Sequence, residues 1–171
     1  MSLTDAQLLA CVLVTWDGDP AGCRWCGKPL TGRARRWCSN EHSWAYARNH
    51  SWTEARHAAV ERDGHRCTIC GVSPDEARQE WGHVERLVLV LTDVRYTPRV
   101  VLAMRSRWLL DRRLEVDHIT PILGKHSTVG CHHHLDGLRT LCHRCHLAVT
   151  AEQFGRVTTA ARLFDDLEVV T

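Results

Sequence analysis

Cys67-Thr-Ile-Cys70 and Cys142-His-Arg-Cys145 are two Cys-x-x-Cys pairs, and His146 follows the second directly. Two such pairs, far apart in sequence, read as one four-thiolate site, because two tight knuckles supply the four tetrahedral ligands that Zn²⁺ prefers. A zinc ion there would pin both ends of the intervening segment together and present Asp117, His118 and His146 to each other. A carboxylate and two imidazoles around one point can bind a divalent ion and activate a water. A second set precedes it: Cys23-Arg-Trp-Cys26-Gly27, then Cys38 and His42. Cys38 and His42 are four apart, so on one helical turn they face the same side. Cys23, Cys26, Cys38 and His42 thus make a site of three thiolates and one imidazole.

These ligands need a scaffold, and 171 residues are enough for one domain with a small appended module. Nine cysteines in a chain without an export signal, paired as Cys-x-x-Cys beside twelve histidines, favour metal over disulfides. A reducing, cytoplasmic compartment is therefore expected. The longest apolar run, Leu87 to Leu91, is far too short to span a membrane. Cys11, among Leu8, Leu9, Val12 and Leu13, reads as a small core residue, and Cys131 has no evident pairing. A net charge of +2 excludes a global polycation, so nucleic-acid binding has to come from local clusters. Of the 22 basic residues only Lys28 and Lys125 are lysines. Arginine's planar fork suits phosphate, and a GC-rich genome also inflates arginine.

Residues 4–15 are weakly helical, and Asp17 to Gly22 forms a turn. Ser51 with Glu54 forms a capping box for a helix that stops at Gly64 and leads into the Cys67 knuckle. Ser73-Pro74-Asp-Glu76 starts another helix. Leu87–Leu91 is either a buried strand or the end of that helix. A further helix runs from Thr97-Pro98 to about Arg112, with Val101, Met104, Trp108 and Leu109 inward. Leu114 to Ile119 reads as a strand ending in Asp117-His118, and 123–137 as a Gly- and His-rich loop. Leu138 to Leu141 is a return strand. A helix then runs from about His143 to Arg162, with Leu147, Phe154, Val157 and Leu163 as core candidates and a break near Gly155. His132-His133-His134 reads as a solvated loop, since three adjacent side chains cannot all converge on one ion.

The order Cys-x-x-Cys, Asp117-His118, Cys-x-x-Cys-His146 resembles the HNH nuclease family and its ββα-metal motif. The segment Cys23 through Glu152 is also similar, in order and approximate spacing, to the C-terminal HNH region of eukaryotic annealing-helicase nucleases. The likeness rests on Trp37-Cys38-Ser39, the 46 residues between Cys70 and Asp117, and Leu135-Asp-Gly-Leu-Arg-Thr-Leu-Cys-His-Arg-Cys-His146. Where that region has a cysteine ligand, this chain has His42. The resemblance implies an α+β fold: a ββα-metal core with two structural zinc sites and additional helices. Residues 1–50 would carry the zinc finger, and 51–171 the nuclease domain with a helical insertion at about 72–113. It further implies Asp117 and His146 as ligands of one catalytic ion (Mg²⁺, Mn²⁺, Ni²⁺ or Zn²⁺) and His118 as general base.

One position departs from the family. Where the motif has an asparagine that holds the base and its loop, this chain has Gly137. Either His132, His133, His134 or Asp136 takes over that role, or the site has lost cleavage and the protein only binds DNA. Retained activity is the expectation, since every other motif position is intact. DNA is the expected partner, gripped through phosphates by Arg33, Arg35, Arg36, Arg139 and Arg144, with no small-molecule cofactor. A modification-dependent restriction nuclease, reading a flipped base with Trp25, Trp37, Trp44 or Trp52, is a further reading.

Overall fold

The computed structural model describes residues 2–91, 98–124 and 126–155, side chains at 88–91 and 98 excepted. Six helices and one two-stranded sheet give these residues a mixed α+β architecture. The chain divides into two compact units, Met1–Glu61 with His118–Arg139, and Arg62–Asp117 with Thr140–Thr171.

In the first unit, Thr4 caps α1 (Asp5–Leu9). Its Oγ accepts from the Gln7 N–H, while the Gln7 side chain returns to the Thr4 N–H. The helix stops well before Leu13, because the Cys11 and Val14 N–H groups bond back three residues in successive turns. Leu8 is fully buried with Leu3 and Trp16, while Leu9 and Val12 face solvent. Burying a leucine of this kind stabilises by about 1.5–3 kcal/mol. The Cys23–Cys26 knuckle closes with Gly27 in the left-handed region (φ 72), its N–H on the Cys23 carbonyl. Ser39 caps α2 (Asn40–His50) by accepting from the His42 N–H. After Ser51, α3 (Trp52–Arg62) begins, and Ser51 also bridges to Val129. The loop after His118 contains two single 3₁₀ turns, Cys131–His133 and Leu135–Gly137.

The second unit opens on the Cys67–Cys70 knuckle. Ser73 Oγ accepts from the Glu76 N–H and starts α4 (Pro74–Leu91), so Leu87–Leu91 is the end of a helix. The Glu76 carboxylate bonds to Arg66. On α5 (Pro98–Asp111), Trp108 donates its Nε1–H to the Ala77 carbonyl of α4, at 2.9 Å. Met104 on the same helix is exposed. Strands β1 (Leu114–His118) and β2 (Leu138–Cys142) pair, and α6 (His143–Gln153) follows. The flanking bonds, Ile119 N–H to Gly137 O and His143 N–H to Arg113 O, set an antiparallel register. Thr140 ties β2 to the knuckle, its carbonyl accepting from Thr68 and its N–H donating to Asp63 Oδ2, both at 2.9 Å. Cys67, Leu141 and Cys142 form the core here, with Val72, Leu114 and Val149 around them. Leu147 and Phe154 are exposed, because the face of α6 that meets this core carries Cys145 and Val149 instead. Val157 and Leu163 lie outside the described residues. No helix among the described residues is long and apolar enough to cross a membrane.

Candidate metal centres and the histidine cluster

Three groups of cysteine and histidine among the described residues could hold a metal ion, the ligand atoms of each lying within 4.8 Å of one another. One is Cys67, Cys70, Cys142 and Cys145, and another is Cys23, Cys26, Cys38 and His42. Cys38 sits one residue ahead of the Ser39 cap, so it meets His42 across the helix start, with Sγ 3.1 Å from Nδ1. Cys26 Sγ lies 3.7 Å from Cys38 Sγ, and Cys70 Sγ 3.7 Å from Cys142 Sγ. Burial works against a thiolate at Cys23, but the N–H groups of Cys26, Trp25 and Cys38 outweigh it and lower its pKa to about 6. At Cys67 burial is likewise outweighed by the N–H groups of Cys70, Cys142 and Ile69, giving about 7. Each knuckle therefore stabilises one thiolate through its backbone. Desolvation and the crowded neighbouring thiols push Cys38 up to about 11, a repulsion that a bound cation would relieve.

In the second unit, Glu115 gathers the charged groups around His146. Its Oε2 accepts from His146 Nδ1 at 2.5 Å, and its Oε1 accepts from His143 Nδ1 at 3.0 Å and from Arg113 at 2.5 Å. Burial alone would raise its pKa, but the Arg113, His146 and His143 bonds lower it to about 2. An ionised carboxylate only accepts, so His146 donates from Nδ1 and turns Nε2 away from Glu115. That Nε2 lies 3.8 Å from Asp117 Oδ1. Glu115 and Asp117 are two apart on β1 and so project from one face. A carboxylate behind an imidazole is the usual brace for a metal-ligating histidine.

In the first unit, His118 Nε2 lies 3.2 Å from His133 Nδ1, and His133 Nε2 lies 3.1 Å from the Ser127 carbonyl. A ring nitrogen can only donate to a carbonyl oxygen, as His132 Nε2 also does to Ser127 at 3.1 Å, so His133 carries its proton on Nε2 and accepts at Nδ1. His118 then donates from Nε2 to His133 Nδ1. Burial, followed by the charge of His132, pushes His133 down to about 4, which keeps it neutral near pH 7. Trp52 stacks on His118, with ring centroids 5.1 Å apart and planes at 17°. Beside His118 an open cleft of about 620 Å³ is lined by Pro121, Ile122, Leu123, His132, Asp136 and Gly137, among others. Gly137 lies outside the left-handed region, and a Cβ there would meet nothing within 4 Å.

Arg33 and Arg35 are exposed, whereas Arg36 is half-buried, bonded to Ser2 and lying over Trp37. Arg139 is half-buried and Arg144 exposed. Trp25 packs edge-on against His50, and Trp37 lies against Tyr46, so both serve as walls within the first unit. Trp44 remains exposed.

Three features have little or no sequence signal. Glu115 becomes visible only through its contacts, and His133, one of four candidates for the orienting role, is singled out only by its bond to His118. The third cluster, Cys11, His50, Cys131 and His134, draws on three separate places in the chain. Cys11 is buried, as expected of a core residue, with its Sγ beside His50 and His134, and His133 is buried too, unlike the solvated loop expected of the histidine run. Cys131, which has no evident pairing in the sequence, lies three residues before His134 in this cluster. No protein-family model matches the chain, and no curated protein or solved structure matches it either.

Proposed function

We propose that this protein is a metal-dependent DNA endonuclease of the HNH type. Asp117 and His146 would hold one divalent ion, and His118 would act as general base. Cys67, Cys70, Cys142 and Cys145 would hold one structural zinc, and Cys23, Cys26, Cys38 and His42 another. The observation that carries the reading is the line Glu115, His146, Asp117. The imidazole is braced at Nδ1 by an ionised carboxylate and turns its Nε2 towards a second carboxylate 3.8 Å away. Two ligand atoms about 2.1 Å from one cation sit roughly 3–3.5 Å apart, so a small closure suffices. Oxygen with imidazole nitrogen suits Mg²⁺, Mn²⁺, Ni²⁺ or Zn²⁺. The order β1, loop, β2, α6 supports the same reading.

When bound, the cation would offset charge on the phosphoryl and leaving oxygens. His118, next in the chain after Asp117, takes the proton of the attacking water on Nδ1. His133 holds the opposite side of that ring and so fills the orienting role that Gly137 cannot. Exposed Arg33, Arg35 and Arg144, with Arg36 and Arg139, would position the duplex through its phosphates. The test is plasmid cleavage by metal-stripped and zinc-restored protein, with Mg²⁺, Mn²⁺ or Ni²⁺ added singly. Nicked or linear product is expected, and it should be lost in Asp117→Ala, His118→Ala and His146→Ala. A zinc-replete, folded protein that binds DNA yet cuts no substrate with any ion would mean that Gly137 marks a DNA-binding module retired from catalysis.

A further inference from the structure

We infer that Cys11, His50, Cys131 and His134 form a third tetrahedral zinc site, one that ties the N-terminal segment to the histidine loop. All four residues belong to the first unit. Cys11 Sγ lies 3.2 Å from His50 Nε2 and 3.4 Å from His134 Nε2, and the two Nε2 atoms are 3.3 Å apart. With Zn–N near 2.05 Å and Zn–S near 2.3 Å, tetrahedral edges come to about 3.3 Å for N···N, 3.5 Å for S···N and 3.8 Å for S···S. The three measured edges fall on or a little inside those values. The two cysteine-rich clusters bracket the same values, with S···N edges of 3.1 and 3.7 Å and S···S edges of 3.7 Å.

The surroundings fit a structural metal. His50 donates from Nδ1 to the Tyr46 carbonyl at 2.9 Å, so its Nε2 holds a lone pair aimed into the cluster. Tyr46 stacks on that ring and Trp25 meets it edge-on, which shields the site from water. His50 is fully buried and Cys11 nearly so. Four protein ligands leave no open coordination position, which marks a structural and not a catalytic ion. Cys131 and His134 also follow a knuckle-like spacing, with Gly130 ahead of them and its N–H on the His50 carbonyl. With this site, every one of the nine cysteines belongs to a ligand set. Because His132 and His133 lie between two of the ligands, an ion here would also fix the backbone that carries His133.

The experiment measures zinc by elemental analysis on the full chain, purified under reducing conditions and desalted without chelator. Wild type should hold three ions per chain. Cys131→Ala and His134→Ala should each hold two, and Cys131→His, which keeps a ligand, should hold three. Reconstitution with Co²⁺ gives a reading independent of those variants, since wild type should show tetrahedral ligand-field bands saturating at three equivalents. Two ions in wild type would overturn the inference. So would three ions in a folded Cys131→Ala, which would put the third ion elsewhere. Intact mass two daltons light without reductant, with only two zinc ions, would show a Cys11–Cys131 disulfide in its place. None of these outcomes depends on DNA cleavage: three ions in a protein that cuts nothing leave this site standing, and two in an active nuclease overturn it alone.

Discussion

Replacing Glu115 with glutamine removes one charge and leaves the shape of the side chain almost unchanged. The ionised carboxylate accepts from Arg113, His143 and His146, and its pKa falls from 4.5 to about 2. At roughly 1.4 kcal/mol per unit, that fall corresponds to about 3 kcal/mol in favour of the ionised form. The carboxylate is 21% exposed, and solvent screening reduces what survives to about 1–2 kcal/mol. Glu115→Gln should therefore lose about 1–2 kcal/mol in urea denaturation at pH 7. Because the folded pKa is depressed, the contribution is fully present above the unfolded value of 4.5 and disappears as pH falls through about 2. The gap between wild type and Glu115→Gln should thus narrow steadily below pH 4.5. A gap that is constant with pH would mean that packing, and not charge, holds this corner. No gap at all would remove Glu115 as the brace of His146. If the nuclease reading holds, the same variant should also cut DNA about 10–100-fold more slowly, as disrupted partners of metal ligands generally do.

Under the same nuclease reading, His133→Ala should slow cleavage about 10–100-fold while leaving DNA affinity within twofold, because His133 would act through His118 and not on substrate. Its mark is the His118 ring: ¹H–¹⁵N spectra should show the Nε2–H tautomer in wild type and a mixture in the variant, and an unchanged spectrum would rule out the positioning role. Gly137→Asn should change stability by less than about 0.5 kcal/mol, since the backbone angle is ordinary and the space around it open. If His133 orients the base as proposed, the variant's cleavage rate should match wild type. A rise of tenfold or more would show that the missing asparagine limits catalysis.

Much of this molecule is written locally. Two Cys-x-x-Cys pairs, and the Cys-x-x-Cys with Cys38 and His42, are recognisable because a knuckle places two ligands within a few residues of each other. The Ser39 and Ser73 caps and the Asp117-His118 strand end are likewise decided by neighbours in the chain. Other features depend on where distant backbone comes together. Leu87–Leu91 is helical because α4 continues through it, a choice that five apolar residues cannot make alone. Leu147 and Phe154 are apolar yet exposed, since the packing of α6 rather than its composition selects the buried face. Glu115 reaches His143 and His146 only once β1 is paired and α6 begins at the end of β2. His133 reaches His118 only across a folded loop. The cluster of Cys11, His50, Cys131 and His134 lies furthest from any sequence signature. Residue types alone cannot distinguish a lone thiol or imidazole in an apolar stretch from a ligand, because the atoms that give it a partner lie up to 123 residues away.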